Sequence, residues 1–116
     1  MNAEFLSIEE LNNFPRRIVN SGENICLPNN SADLVFVIED GQAKIKNQII
    51  HTGEIIGFID IVTESNYLNK VVAKNNCRLI CFNREQLKNM ICKKSHFLWS
   101  LLTALSFAVL DKKKFL

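Results

Sequence analysis

From Arg16 to Phe82 the chain is a succession of eight short runs rich in β-branched and aliphatic residues: "RRIV", "NICL", "LVFVI", "AKIK", "QIIH", "EIIGF", "KVVA" and "RLICF". Turn signals interrupt them at Asn20 to Gly22, Pro28 to Ser31, Glu39 to Gly41, Thr52 to Gly53 and Lys74 to Asn76. "EDG" ahead of a further β run is a strong hairpin signal. Runs this short and this close leave no room for the crossover helices that a parallel sheet requires. The expected fold class is therefore mainly β: a double-stranded β-helix or jelly roll over about 16–82. At 116 residues the chain suits one domain with a real core and is too short for two.

Both ends read as helical. "SIEELNNF" has Ser7 as a cap with Glu10 three residues later, and Pro15 ends the segment. After the β region, Asn83 with Gln86 forms a second capping box, opening a helix over about 84–92 with Leu87, Met90 and Ile91 as its apolar stripe. Ser95 caps a longer helix over about 96–110. Phe97, Leu98, Leu101, Leu102, Leu105, Ala108 and Val109 recur along it at helical spacing, and Trp99, Phe107 and Leu110 widen its apolar surface.

One helix on one sheet buries a single face, so this excess calls for a second contact. The expectation is a homodimer through Phe97, Leu98, Leu101, Leu102, Leu105, Ala108 and Val109, with packing inside one chain as the alternative. Lys93, Lys94 and Lys112 to Lys114 flank the helix and raise a third reading, contact with a membrane surface. A transmembrane segment is not expected, because the apolar stretch is shorter than about 20 residues and contains Ser100, Thr103 and Ser106.

Composition excludes several function classes. The apolar share of 47% and charged share of 22% describe an ordinary globular chain. At a net charge of +2, Lys44, Lys46, Arg78 and Arg84 look scattered among acids, whereas nucleic-acid binding needs concentrated positive charge. No direct nucleic-acid binding is expected. The N-terminus lacks a secretory signal pattern, so a cytoplasmic location is expected. Cys26, Cys77, Cys81 and Cys92 fit neither a disulfide scaffold nor a zinc motif and read as buried thiols, Cys77 and Cys81 on one strand face. His51, beside a turn, and His96 are too isolated for a metal set. No nucleophile–base pairing is suggested, so neither enzyme activity nor a cofactor is expected.

The order of elements and the central glycines resemble the cyclic nucleotide-binding domain family, in particular the sensor domain of the cAMP receptor protein. In "FPRRIVNSGENICLPNNSADLVFVIEDGQAKI" the matching positions are Gly22, Phe36, Ile38, Gly41 and Ile45. "HTGEIIGFIDIV" is similar to the family's motif of glycine, bulky pair, glycine and glutamate, and "CRLICFNREQLKNMI" to the lead into its long helix. The resemblance implies a dimer-forming last helix. It also implies a phosphate site built from backbone N–H groups at a short helix start and an arginine, with a glutamate receiving the ribose hydroxyl.

Here the pattern departs. Gly57 matches the second glycine, but Phe58 replaces the glutamate and Tyr67 falls near the arginine position. No arginine lies between Arg17 and Arg78, and Lys70 is the nearby cation. Each lost charge-assisted bond removes on the order of 1.5–3 kcal/mol. The expected function is therefore a non-catalytic regulatory or scaffold domain with a degenerate site, not binding cAMP or cGMP and acting by homodimerisation or protein–protein contact.

The alternative is a sensor of another small anion or atypical nucleotide, using Gly57, Phe58, Ile59, Asp60, Tyr67 and Lys70. A cupin-like enzyme stands third. The first reading predicts Phe58 and Tyr67 pointing inward over little cavity. The second requires an open pocket with Lys70 converging on amides near Gly57 to Asp60. Transcription factors resembling the family continue from the long helix into a helix-turn-helix. This sequence stops six residues past Leu110 without such a DNA-binding domain, and its Met1 start favours a complete single-domain protein over a fragment.

Overall fold

The computed structural model describes residues 8–114. A short helix α1 (Ile8–Leu11) precedes strands β1 (Arg16–Val19), β2 (Asn24–Cys26), β3 (Val35–Asp40), β4 (Ala43–Ile45), β5 (Gln48–Ile50) and β6 (Ile55–Ile56). Helix α2 (Phe58–Val62) follows, then β7 (Val71–Ala73), β8 (Cys77–Phe82), α3 (Arg84–Lys94) and α4 (His96–Lys114). The strands form two antiparallel four-stranded sheets, ordered β1-β8-β3-β6 and β2-β7-β4-β5. This is the jelly-roll architecture expected from the run of short strands. Ser7, the proposed first cap, lies outside the described residues.

Alternation along β3 and β8 divides the core in two. Phe36 and Ile38 face the space between the sheets together with Cys77, Leu79 and Cys81. Val35, Val37, Ile80 and Phe82 face the other way, against Leu87, Met90 and Ile91 of α3 and Trp99 of α4. The first sheet is thus covered on both faces, which is why β3 and β8 read as nearly continuous apolar runs. Each fully buried aliphatic side chain such as Leu87 or Ile91 contributes about 1.5–3 kcal/mol.

One predicted strand changes character midway. "EIIGF" pairs with β3 only through Ile55 and Ile56, because Gly57 adopts a φ of 83° and turns the chain into α2. Phe58 therefore begins a helix. The Asn83–Gln86 capping box forms in both directions, and the Ser95 hydroxyl accepts from the Leu98 amide at 3.2 Å.

Helix α4 splits its apolar surface between two uses. Trp99 and Leu110 are buried, and Leu98 and Leu102 pack onto the helix-side core. The Arg84 guanidinium lies 5.4 Å from the Trp99 ring. Leu98 and Leu102, two of the residues expected at a dimer interface, are half-buried against this core. Phe97, Leu101, Leu105, Phe107, Ala108 and Val109 stay exposed, Phe97 at 75%. Among the described residues no helix is long and apolar enough to cross a membrane.

Candidate functional site

Gly57 caps α2 from the left-handed region, leaving its α-carbon face bare. The Tyr67 ring fills that space: a methyl group on Gly57 would stand 3.2 Å from Tyr67 Cε1. Three bonds hold Tyr67 in place. Its hydroxyl donates to the Leu34 carbonyl, its amide donates to Asn30, and its carbonyl accepts from the Asn29 amide. The ring therefore closes over the start of α2 as a part of the sheet-to-loop packing.

Behind it lies a cavity of about 100 Å³ between the sheets, lined by Gly57, Asp60, Tyr67, Cys26 and Asn69 among aliphatic side chains of β4 to β7. Pockets that enclose small molecules usually run to about 300–1,000 Å³. Among the described residues that line it, Asp60 is the one charged side chain, and no basic side chain lines it. Burial, then the Asp60 carboxylate, pushes the Cys26 thiol up to about 12. Burial, then Cys26, likewise pushes the Tyr67 phenol up to about 12. Both groups are protonated at neutral pH, so Cys26 is a packing element rather than a nucleophile.

The structure brings Gly57, Asp60 and Tyr67 together but not the other three candidates. Phe58 is buried in the helix-side core among Ile61, Leu87 and Trp99, and Ile59 packs against the same cluster. Phe58 is therefore neither a plug nor a platform in this cavity. With Gly57 turning the chain, the first helical side chain points away from the sheets' interior. Lys70 lies on the outer surface with Lys44 and Lys46 and does not converge on Gly57 to Asp60.

Cys26 and Asn69 were missed as lining residues. Cys26 was read as a buried thiol, but only the pairing of β2 with β7 shows which interior it enters. Among the described residues no three His, Cys, Asp or Glu side chains are grouped as metal ligands.

The model of the cyclic nucleotide-binding domain family matches residues 16–94, from β1 to the end of α3. The chain belongs to the cyclic nucleotide-binding domain family. Among solved structures of this fold, the cAMP-bound form of the EAL enzyme Bd1971 superposes with a TM-score of 0.72 at 19% identity, over 85% of this chain and 29% of that one. The regulatory domain of Toxoplasma gondii PKA with cAMP gives 0.68 at 16% identity, over 82% and 39%. The N-terminal domain of a transcriptional regulator from Streptomyces coelicolor A3(2) gives 0.66 at 12%, over 94% and 84%. At these identities the likeness establishes the fold. No curated protein matches in sequence. The cyclic nucleotide-binding domain here spans 29% and 39% of the first two chains, and Gly57 and Tyr67 sit inside the matched segment.

Proposed function

We propose that this member of the cyclic nucleotide-binding domain family is a non-catalytic regulatory or scaffold domain that does not bind cAMP or cGMP. It acts through contact with a second copy or another protein. The observation that carries this reading is the Tyr67 ring seated on Gly57, at the helix start where the family resemblance would place phosphate. The space behind it, about 100 Å³, is smaller than the usual small-molecule pocket. No lysine or arginine is among the residues that line it, and Lys70 is displaced to the outside.

The exposed apolar stripe of α4 supports the protein-contact half of the proposal. Phe97, Leu101 and Leu105 follow one another at four-residue spacing on the side turned away from the core. A second copy presenting the same stripe would cover it.

Titration calorimetry with cAMP and with cGMP tests the ligand half. The expected result is no saturable heat for either nucleotide up to about 1 mM, the range of roughly −4 kcal/mol affinities. Micromolar binding of either nucleotide overturns the reading, and loss of that binding in Lys70→Ala would restore Lys70 as a ligand contact.

A further inference from the structure

In sequence Lys44 and Lys46 look like scattered surface charges and Lys70 like a cation beside the anion loop; the fold collects the three. Ile45 and Val71 are registered across β4 and β7 and both line the interior cavity. Strand alternation therefore turns Lys44 and Val72 to the opposite, outer face. Lys46 and Lys70 follow just beyond Ile45 and just before Val71, at the same end of the two strands, and both are exposed.

Together with Pro28, Leu68 and Asn69 these residues line a groove of about 460 Å³. Its apolar lining is Pro28, Val72 and Leu68, the last 44% exposed, and its charged lining is all lysine. None of the three lysines is in an ion pair among the described residues. Lys46 also takes a φ of 52°, in a tight turn between β4 and β5 where glycine or asparagine is favoured. Local preference thus conflicts with the structure at Lys46, and such conflicts are expected at functional or strained positions.

We propose that the outer face of the β2-β7-β4-β5 sheet docks an acidic peptide segment of a partner protein, with one apolar side chain of that segment seated against Leu68 and Val72. Charge complementarity selects the class: three unpaired ammonium groups around an apolar floor match a few carboxylates flanking one hydrophobic anchor. Nucleic acid fits less well, since its affinity grows with the number of phosphates neutralised and stacking platforms are missing from the groove's lining. Anionic membranes are ordinarily held by clusters of about 4–8 basic residues. The inference is independent of whether the interior cavity is closed.

The test is fluorescence anisotropy of the full chain with a labelled synthetic peptide of glutamates around a single leucine. A single-stranded oligonucleotide and vesicles containing phosphatidylserine run in parallel. The glutamate peptide should bind saturably, and the same peptide with lysines in place of glutamates should not. Combined Lys44→Glu, Lys46→Glu and Lys70→Glu should weaken binding by at least about tenfold, and Leu68→Ser by about threefold.

Should the triple variant fail to fold, single Lys→Gln changes and peptide-induced amide shifts at Leu68, Lys70 and Val72 report the same contact in the folded chain. The proposal is overturned if the glutamate peptide does not bind, if the charge reversals leave its affinity unchanged, or if amide shifts map elsewhere. It is equally overturned if the oligonucleotide or the vesicles bind more tightly than the peptide through these lysines.

Discussion

Tyr67 packs its ring edge against the bare α-carbon of Gly57, with a gap too small to admit a methyl group at its ordinary distance. Each residue makes the other's conformation workable. Gly57 supplies the left-handed turn and the empty space; Tyr67 fills that space and anchors its hydroxyl on Leu34.

That mutual dependence predicts a non-additive mutational cycle. Gly57→Ala should cost about 1–2 kcal/mol, from the positive φ and the crowding of the ring. Tyr67→Ala should cost about 3 kcal/mol by emptying buried volume and leaving the Leu34 carbonyl without its donor. In the double variant the steric part of the Gly57 penalty disappears, so the total should fall short of the sum by about 0.5 kcal/mol or more. Urea denaturation of the four proteins measures it; strict additivity would mean that the contact is incidental.

A second prediction concerns acid. The Glu39 carboxylate accepts from Arg16 Nη2 at 2.8 Å and from Arg78 Nε at 2.6 Å, tying β1, β3 and β8 together. Hydrogen bonding from Arg16, reinforced by Arg78, holds this carboxyl below its ordinary value of 4.5. Its folded-state pKa is depressed, so the unfolded chain takes up a proton first as pH falls. The contribution is present above about pH 4.5 and is lost as pH drops through the lower folded value. Because the pair is partly exposed, Glu39→Gln should lower stability at pH 7 by less than about 1 kcal/mol. The gap from the parent chain should shrink steadily below pH 4.5 in denaturant titrations, and a gap that widened there would contradict the assignment.

Helix α4 carries apolar residues on both an exposed and a buried side. Leu105, 53% exposed, and Leu110, 6% exposed, lie on different sides of it. Sedimentation equilibrium should find a dimer at micromolar concentration that Leu105→Glu converts to monomer while leaving the monomer's fold intact. Leu110→Ala should cost about 2–4 kcal/mol of stability. A parent chain that remains monomeric throughout the micromolar range would remove the homodimer proposal.

The start of α3 offers a local check. Asn83 Oδ1 accepts from the Gln86 amide at 2.8 Å and Gln86 Oε1 accepts from the Asn83 amide at 2.8 Å. Asn83→Ala should destabilise by about 1 kcal/mol, read as a shift in urea midpoint with unchanged slope. Asn83→Ser should recover most of the loss.

The architecture was largely legible in the sequence, and so was the capping at Asn83 and Ser95. Those signals are local: turn residues, period-two alternation and side-chain bonds three residues long leave their mark on adjacent letters. The candidate site was legible only in part. Tyr67 was expected to face the pocket and does, but Phe58 was also expected there and lies in the helix-side core. Two neighbouring residues, Gly57 and Phe58, part company because one left-handed φ of 83° redirects everything after it. The letter G permits that angle without stating which side the next ring will take.

Lys70 is the sharper case. Its sequence neighbours suggested a cation near an anion loop, yet pairing of β4 with β7 turns it outward beside Lys44 and Lys46. The β class, the run of short strands ahead of two C-terminal helices, the caps at Asn83 and Ser95 and the departure from the family's glutamate and arginine pattern were carried by the letters, because each depends on spacing over a few residues. The tertiary structure alone decided which ring closes the cavity, which face of α4 is left uncovered and which lysines share a groove. Those outcomes depend on strand register between segments more than twenty residues apart, where a shift of one position sends every side chain to the opposite face.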